Sequence, residues 1–299
     1  MAAGDLITTN YQYEYNGLLL GSGTPYIMEK VTGLLTTADV IDNHYKAQSR
    51  QGKILGQESF DARHVQFDVS IDGTSGSDAE DKIAALMNAF VMPPYFSGLS
   101  VIDLVADDYA AFSSTPSNPD KFFVFQRPNK GKRAFYGHVN KVSFDSTGDV
   151  AQGLAKGSVD LLCIDPLCYS IGPLNHLVSG TIANTATSGS VTCTNAGNFP
   201  TQRLRISLVG PMTNPVITNG TTGRAMKFTG TLPTSSDTLV VMVHGREIWV
   251  NDVPDTSYRR SDFQWFDLQP GGNTIQVTRS VSAAAAPFTV QFQDAWMTG

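Results

Sequence analysis

The side chains that could do chemistry are few and far apart. His44, His64, His138, His176 and His244 are the five histidines, and no two stand at the spacing that lets imidazoles share a metal ion, so each reads as structural or surface. The three cysteines, Cys163, Cys168 and Cys193, form no C-x-x-C pair and no Cys/His cluster. Their odd number and irregular spacing argue against a disulfide framework, so they read as reduced, small apolar residues. Asp103, Asp107 and Asp108 are neighbours in sequence, but a glycoside-cleaving pair needs two carboxyls about 5–10 Å apart across a groove. The glycines at Gly21 and Gly23 lack the strand, turn and helix of a phosphate loop, and neither G-x-S-x-G nor H-E-x-x-H occurs. Asn219-Gly220-Thr221 matches a glycosylation sequon and reads as an Asn-Gly turn between strands. The expected catalytic, cofactor-binding and metal-binding residues are therefore none. What remains is aromatic: Trp249 and Trp265 are the candidates for an exposed contact.

Composition narrows the class further. The chain has 299 residues, and at roughly 100–200 residues per domain that length implies two domains. Only 16% of residues are charged while Gly numbers 27, a mix that favours strands and turns over long surface helices. The net charge of −6 argues against a binder of DNA or anionic membranes, which needs clustered Lys and Arg. The densest basic run, Lys130 to Arg133, reads as a hairpin tip. The N-terminal MAAGDLITTNYQY has neither a basic nor an apolar leader region, so synthesis in a cytoplasm is expected. The longest apolar stretch, IAALMNAFVM, is about half of what a bilayer span requires, so no membrane insertion is expected.

The first half alternates short strands with turns. YQYEY (11–15) puts Tyr11, Tyr13 and Tyr15 on one face. In HVQFDVSIDG (64–73), Val65, Phe67, Val69 and Ile71 alternate with polar partners up to an Asp-Gly stop. FFVFQ, AFYGHVNKVSFD and GSVDLLCID continue the pattern. One helix is expected over 78–92: Ser77 and Glu80 make a capping box, Ile83, Leu86, Met87, Phe90 and Val91 recur at helical spacing, and Pro93-Pro94 ends it. Residues 100 to 120 are irregular, with a Pro/Ser/Asn loop at 113–120.

Near residue 165 the character of the chain changes. Beyond it lie Thr/Asn/Gly-rich segments: SVTCTN, RLRISLVG, AMKFTG, DTLVVMVHGREIWVN (237–251), WFDL (265–268), NTIQVTR and FTVQFQDAW. These read as the strands of an antiparallel sandwich. The fold class is thus mainly β, with two antiparallel β-sandwich domains at 1–169 and 170–299, the first carrying one amphipathic helix. In SDFQWFDLQPGGNTIQV (261–277), Trp265 and Phe266 cannot both point inward. Phe266 shares parity with Leu268 and is expected in the core, which leaves Trp265 at the surface. Pro270, Gly271, Gly272 and Asn273 supply a tight turn.

The second half resembles the C-terminal, galectin-like domain of siphovirus distal tail (Dit) proteins. The positions that carry the likeness are Asn195, Gly197, Asn198 and Pro200; then Gly210, Asn214 and Pro215; then Asn219, Thr222 and Gly223; and finally Phe266, Leu268, Pro270, Gly271 and Asn273. In the first half, the Arg/Gly-containing connection over 50–73, the helix, and the strand into Asp165-Pro166 are similar to the family's N-terminal domain. The resemblance implies a virion protein at the tail tip. It would form a homo-hexameric ring between the tail tube protein and the tail-tip hub protein, carry receptor-binding or fibre proteins, and let DNA pass through its lumen without specific binding. The acidic balance implies a neutral or negative inner wall. Two other classes compete. One is a carbohydrate-binding module stacking sugar on Trp249 or Trp265. The other is a cell-wall hydrolase, for which the chain shows no catalytic constellation.

Overall fold

The computed structural model describes residues 4–37, 39–41, 45–46, 53–54, 59–90, 122–145, 148–171 and 176–299. The chain groups into two compact units. Among the described residues, the first holds those from Gly4 to Ile171 together with Met297–Gly299, and the second holds His176–Trp296. The closing three residues thus group with the first unit rather than with the second.

In the first unit, β1 (Gln12–Tyr15), β2 (Leu18–Gly21), β5 (Phe122–Arg127), β6 (Gly131–Tyr136) and β9 (Cys168–Ser170) form one sheet in the order β2-β1-β5-β6-β9. The other sheet contains β3 (Tyr26–Thr32), β4 (Arg63–Asp72), β7 (His138–Phe144) and β8 (Leu154–Cys163) in the order β7-β8-β4-β3. Strand β4 is the clearest case of period-2 patterning. Val65, Phe67, Val69 and Ile71 are each at most 1% exposed, while His64, Gln66 and Asp68 face outward. Rings hold this core: Phe67 lies 5.5 Å from Phe123, Phe125 5.7 Å from Phe135, and Phe90 stacks on Tyr15 at 4.7 Å.

Helix α1 spans Gly76–Phe90 and buries Ala79, Leu86, Ala89 and Phe90. It begins earlier than the Ser77–Glu80 pairing implies. The capping residue is Ser75, whose hydroxyl accepts from the Asp78 amide at 3.2 Å, and Asp78 answers by accepting from the Thr74 amide at 2.7 Å. Two overlapping Ser-x-x-acid patterns stand here, and the one nearer the end of β4 is used. Met87 is 44% exposed and so lies off the buried stripe. Val91, Pro93 and Pro94 fall outside the described residues.

Two further expectations are corrected. Tyr11 does not share a face with Tyr13 and Tyr15: its φ of 62° takes it out of the strand, and it is 55% exposed. Polar residues of β1 are buried instead because they anchor the preceding segment. Glu14 accepts from the Gly4 and Leu6 amides at 3.0 Å, and Gln12 accepts from Thr8 and Thr9. The Lys130 tip joins β5 to β6 as expected, but Arg133 is already inside β6 and 6% exposed.

The second unit is also built from antiparallel sheets. One has β10 (His176–Ile182), β12 (Leu204–Val209), β15 (Thr238–Met242), β16 (Glu247–Val250) and β18 (Ala286–Phe292) in the order β10-β18-β12-β15-β16, with Val253–Pro254 beyond. The other has β11 (Ser188–Asn195), β13 (Val216–Asn219), β14 (Arg224–Lys227) and β17 (Gly271–Thr278) in the order β11-β17-β13-β14. Their inner faces interdigitate in a largely aliphatic core that includes Ile206, Leu208, Val241, Ile275, Val277 and Val290. The 237–251 run is two strands, not one, because Arg246 adopts φ 54° and its amide donates to the Val243 carbonyl. Strands β10 and β13 are additions, and Trp265–Leu268 is no ladder strand: Leu268 makes only an isolated bridge with Thr201.

The helix cap gives a pH test. The Lys82 ammonium first, then the Thr74 amide and hydroxyl, hold the Asp78 carboxyl down from 3.8 to about 2. A depressed folded value stabilises above the unfolded one and is lost as pH falls through the folded one. The stability gap between the protein and an Asp78→Asn variant is therefore expected to be full above roughly pH 4 and to close toward pH 2 in acid-titrated unfolding curves.

Candidate functional site

The motif positions in the second unit converge on one end of the β11-β17-β13 sheet. The segment Phe266–Pro270 passes there without a ladder partner along its length, and its backbone polar groups still need partners. Three asparagines, each at most 1% exposed, supply them. Asn273 accepts from the Gln269 amide at 2.9 Å and donates to the Gln269 carbonyl at 2.7 Å and the Gly271 carbonyl at 3.0 Å. Asn219 donates to the Asp267 carbonyl at 3.1 Å, and its own carbonyl takes the Thr221 amide. Asn195 donates to the carbonyls of Phe199 at 2.8 Å and Leu268 at 3.3 Å while accepting from the Gly197 amide. Thr201 completes the set through reciprocal backbone bonds with Leu268 of 2.9 and 3.0 Å.

The other motif residues serve the same geometry. Gly271 takes φ 86°, the left-handed conformation that the turn after Pro270 requires. At Gly197 a Cβ would lie 1.8 Å from the Ala295 carbonyl oxygen, so only glycine admits that approach. Asn214, at φ 46°, accepts from the Gly230 amide. Phe266 and Leu268 have no exposed surface and seal the core. Arg279, 3% exposed, donates to the carbonyls of Ala183, Ala186, Pro211, Ala283 and Ala284, tying three loops together by one guanidinium.

The candidate aromatics are not bare platforms. Trp265 is half-buried, packs against the core, meets the Phe263 ring edge-on at 4.9 Å, and has the Arg259 guanidinium 5.8 Å from its ring centre. Trp249 is half-buried on β16 and donates its indole N–H to Glu247 at 3.0 Å. Burial raises the Asp267 carboxyl, the property of a general acid, but the groups that pull it back are Gln202, Arg224 and Arg246, none of which is a nucleophile. His64 pairs with Asp160 at 3.0 Å and His176 with Asp294 at 2.8 Å, two separate pairs on different units. Asp103, Asp107 and Asp108 lie outside the described residues. Among the described residues no group of three or more His, Cys, Asp or Glu is placed to hold a metal, and no helix is long and apolar enough to cross a membrane. All three cysteines are buried and unpaired, and burial pushes their thiols up to about 12, 11 and 12 for Cys163, Cys168 and Cys193.

Fold and motif together define a class: a mainly β chain of two sandwich units whose signature residues work as internal fasteners. Residues 196–296 match the family model described as the siphovirus-type tail component, C-terminal domain. The likeness to siphovirus distal tail proteins read from the sequence is borne out. Among solved structures, the chain is similar to SPP1 Dit (gp 19.1), described as a paradigm of hub adsorption apparatus in phages infecting Gram-positive bacteria. The two share 16% identity and a TM-score of 0.62 over 95% of this chain and 98% of that one. A looser likeness is to a chain of the phage p2 baseplate in its activated conformation with strontium, at 10% identity and a TM-score of 0.44 over 94% of this chain and 97% of that one. No curated protein matches.

Two outcomes follow. Replacing Asn273 by Ala removes four hydrogen bonds, three to the backbone of residues 269–271 and a long one from the Asn219 side chain, so urea unfolding of the second unit should show a loss of about 3 kcal/mol. An aromatic disulfide reagent at pH 8 should find none of the three thiols reactive in the native protein and all of them in denaturant.

Proposed function

We propose that this chain is a structural component of the distal end of a long, non-contractile phage tail, where six copies close into a ring. The observation that carries this reading is the tail-component family match of 196–296, joined to a motif that fastens the fold. The whole-length fold likeness to SPP1 Dit extends it to the first unit. In this reading the first unit builds the ring, the second projects from it, and the assembly joins the tail tube protein above to the hub protein below. Receptor-binding or fibre proteins attach to the ring, and DNA crosses its lumen during ejection. The protein is made in the host cytoplasm and ends at the virion tail tip. It acts as a socket, without turnover.

A closed ring needs one heterologous interface repeated about an axis. The 39–63 connection is suited to supply it. Val40–Ile41 pairs with Ser59–Phe60 and Tyr45–Lys46 with Lys53–Ile54, so this connection forms short ladders apart from both sheets of the first unit. The irregular 100–120 segment, a second candidate for this interface, lies outside the described residues. A lumen for DNA must not hold phosphate, and the outward face of the β7-β8-β4-β3 sheet suits one because its charges nearly balance: Glu29, Asp68, Asp72 and Asp160 stand among Lys30, Lys141 and Lys156. The carbohydrate-binding alternative is not favoured, because Trp265 already packs on Phe263 and beneath Arg259.

The mass of the purified protein in solution, read by native mass spectrometry beside negative-stain images, tests the ring. A species of six 32.2 kDa chains with a central hole is expected. A stable monomer at high concentration, or tail particles carrying the chain away from the tip, would contradict it.

A further inference from the structure

Three arginines of the first unit converge on Met297–Gly299. Arg63, 3% exposed, donates to the Met297 carbonyl and, at 3.2 Å, to the Gly33 carbonyl. Arg133 donates to the Thr298 carbonyl at 3.3 Å, and Arg127 to the Gly299 carbonyl at 3.3 Å. The Cys168 thiol also points to the Thr298 carbonyl at 3.4 Å, and the Gly299 amide donates to the Leu34 carbonyl at 2.6 Å. Met297 itself is 8% exposed, its sulfur 3.8 Å from the Arg63 guanidinium. Burial pulls the Arg63 pKa below its ordinary value, which marks a guanidinium removed from water. A buried cation that loses an acceptor is destabilising to its surroundings. Yet Met297 stands 234 positions after Arg63, with the second unit between them in sequence.

We propose that Met297–Gly299 is a strap that completes the first unit, so that this unit reaches its final stability only after the second has been synthesised. Domains of a growing chain ordinarily fold in order from the N-terminus. Here the first unit can form its sheets early, but its Arg63 site stays open until Met297–Gly299 arrive. A chain cut short in the second unit then carries a weakened first unit and makes a poor partner for assembly. This holds whatever the number of copies in the final assembly.

Hydrogen exchange read by mass spectrometry tests it on four proteins: the whole chain, the chain ended after Trp296, and each with Arg63→Met. Ending the chain at Trp296 is expected to speed exchange in β4 and β5 at least tenfold while β12 and β17 stay unchanged. Arg63→Met should speed exchange in the whole chain, by orphaning the Met297 carbonyl, and slow it in the shortened chain, by removing a buried cation that keeps the Gly33 carbonyl but has lost its Met297 acceptor. Unchanged exchange in β4 and β5, an equal rise in both units, or the same effect of Arg63→Met in both backgrounds would overturn the proposal. Should the shortened chain be insoluble, recovery of soluble protein by Arg63→Met supports the strap, and no recovery opposes it.

Discussion

A stretch of backbone that leaves a β-ladder while remaining buried must find hydrogen-bond partners elsewhere, and the second unit is organised around that constraint. Phe266 and Leu268 have to be inside to seal the core, which buries the Leu268 carbonyl and draws the Asp267 and Gln269 carbonyls and the Gln269 amide partly away from water. Asn195, Asn219 and Asn273 replace the missing ladder. An amide side chain is the right tool, since it offers a donor and an acceptor in one plane, as a neighbouring strand does. A carboxylate could only accept, and a hydroxyl is too short to bridge two groups. The motif is therefore conformational chemistry, and its residue types do not point to a reaction.

The first unit solves its packing differently. Rings stand among the aliphatic chains of its core, with Phe67, Phe90, Phe123, Phe125 and Phe135 in mutual contact or stacked on tyrosines. Its buried polar side chains face backbone groups of distant segments: Glu14 and Gln12 hold the N-terminal stretch, and Arg63 and Arg133 hold the C-terminal one. Residues 4–9 and 297–299 are thereby fastened into one unit.

Much of the fold was legible because period-2 patterning is a direct record of burial, as β4 and β12 show. The same parity also marked the fasteners. Asn195 continues the inward series of Cys193, Asn219 that of Ile217, and Asn273 that of Ile275 and Val277, yet turn propensity draws asparagine toward a loop reading. Arg279 follows Val277 in the same way. What single-residue patterning could not show were the choices made by long-range geometry. Ser75 and Ser77 both precede an acid by three, and only the path out of β4 selects between them. WFDL alternates like a strand, but no neighbouring strand reaches it. The join between Arg63 and Met297 spans too much sequence to leave a local trace.

The claim that the motif fastens rather than binds depends on the Phe266–Pro270 segment being closed in the native state. Residue-resolved amide exchange at Gln269 measures this directly. Its N–H, held by the Asn273 side chain, should exchange as slowly as the ladder amides of β17, through unfolding of the whole unit. Exchange at the rate of an exposed loop would mean that the segment opens on its own and is available to a ligand, and the account of the motif as an internal fastener would fail.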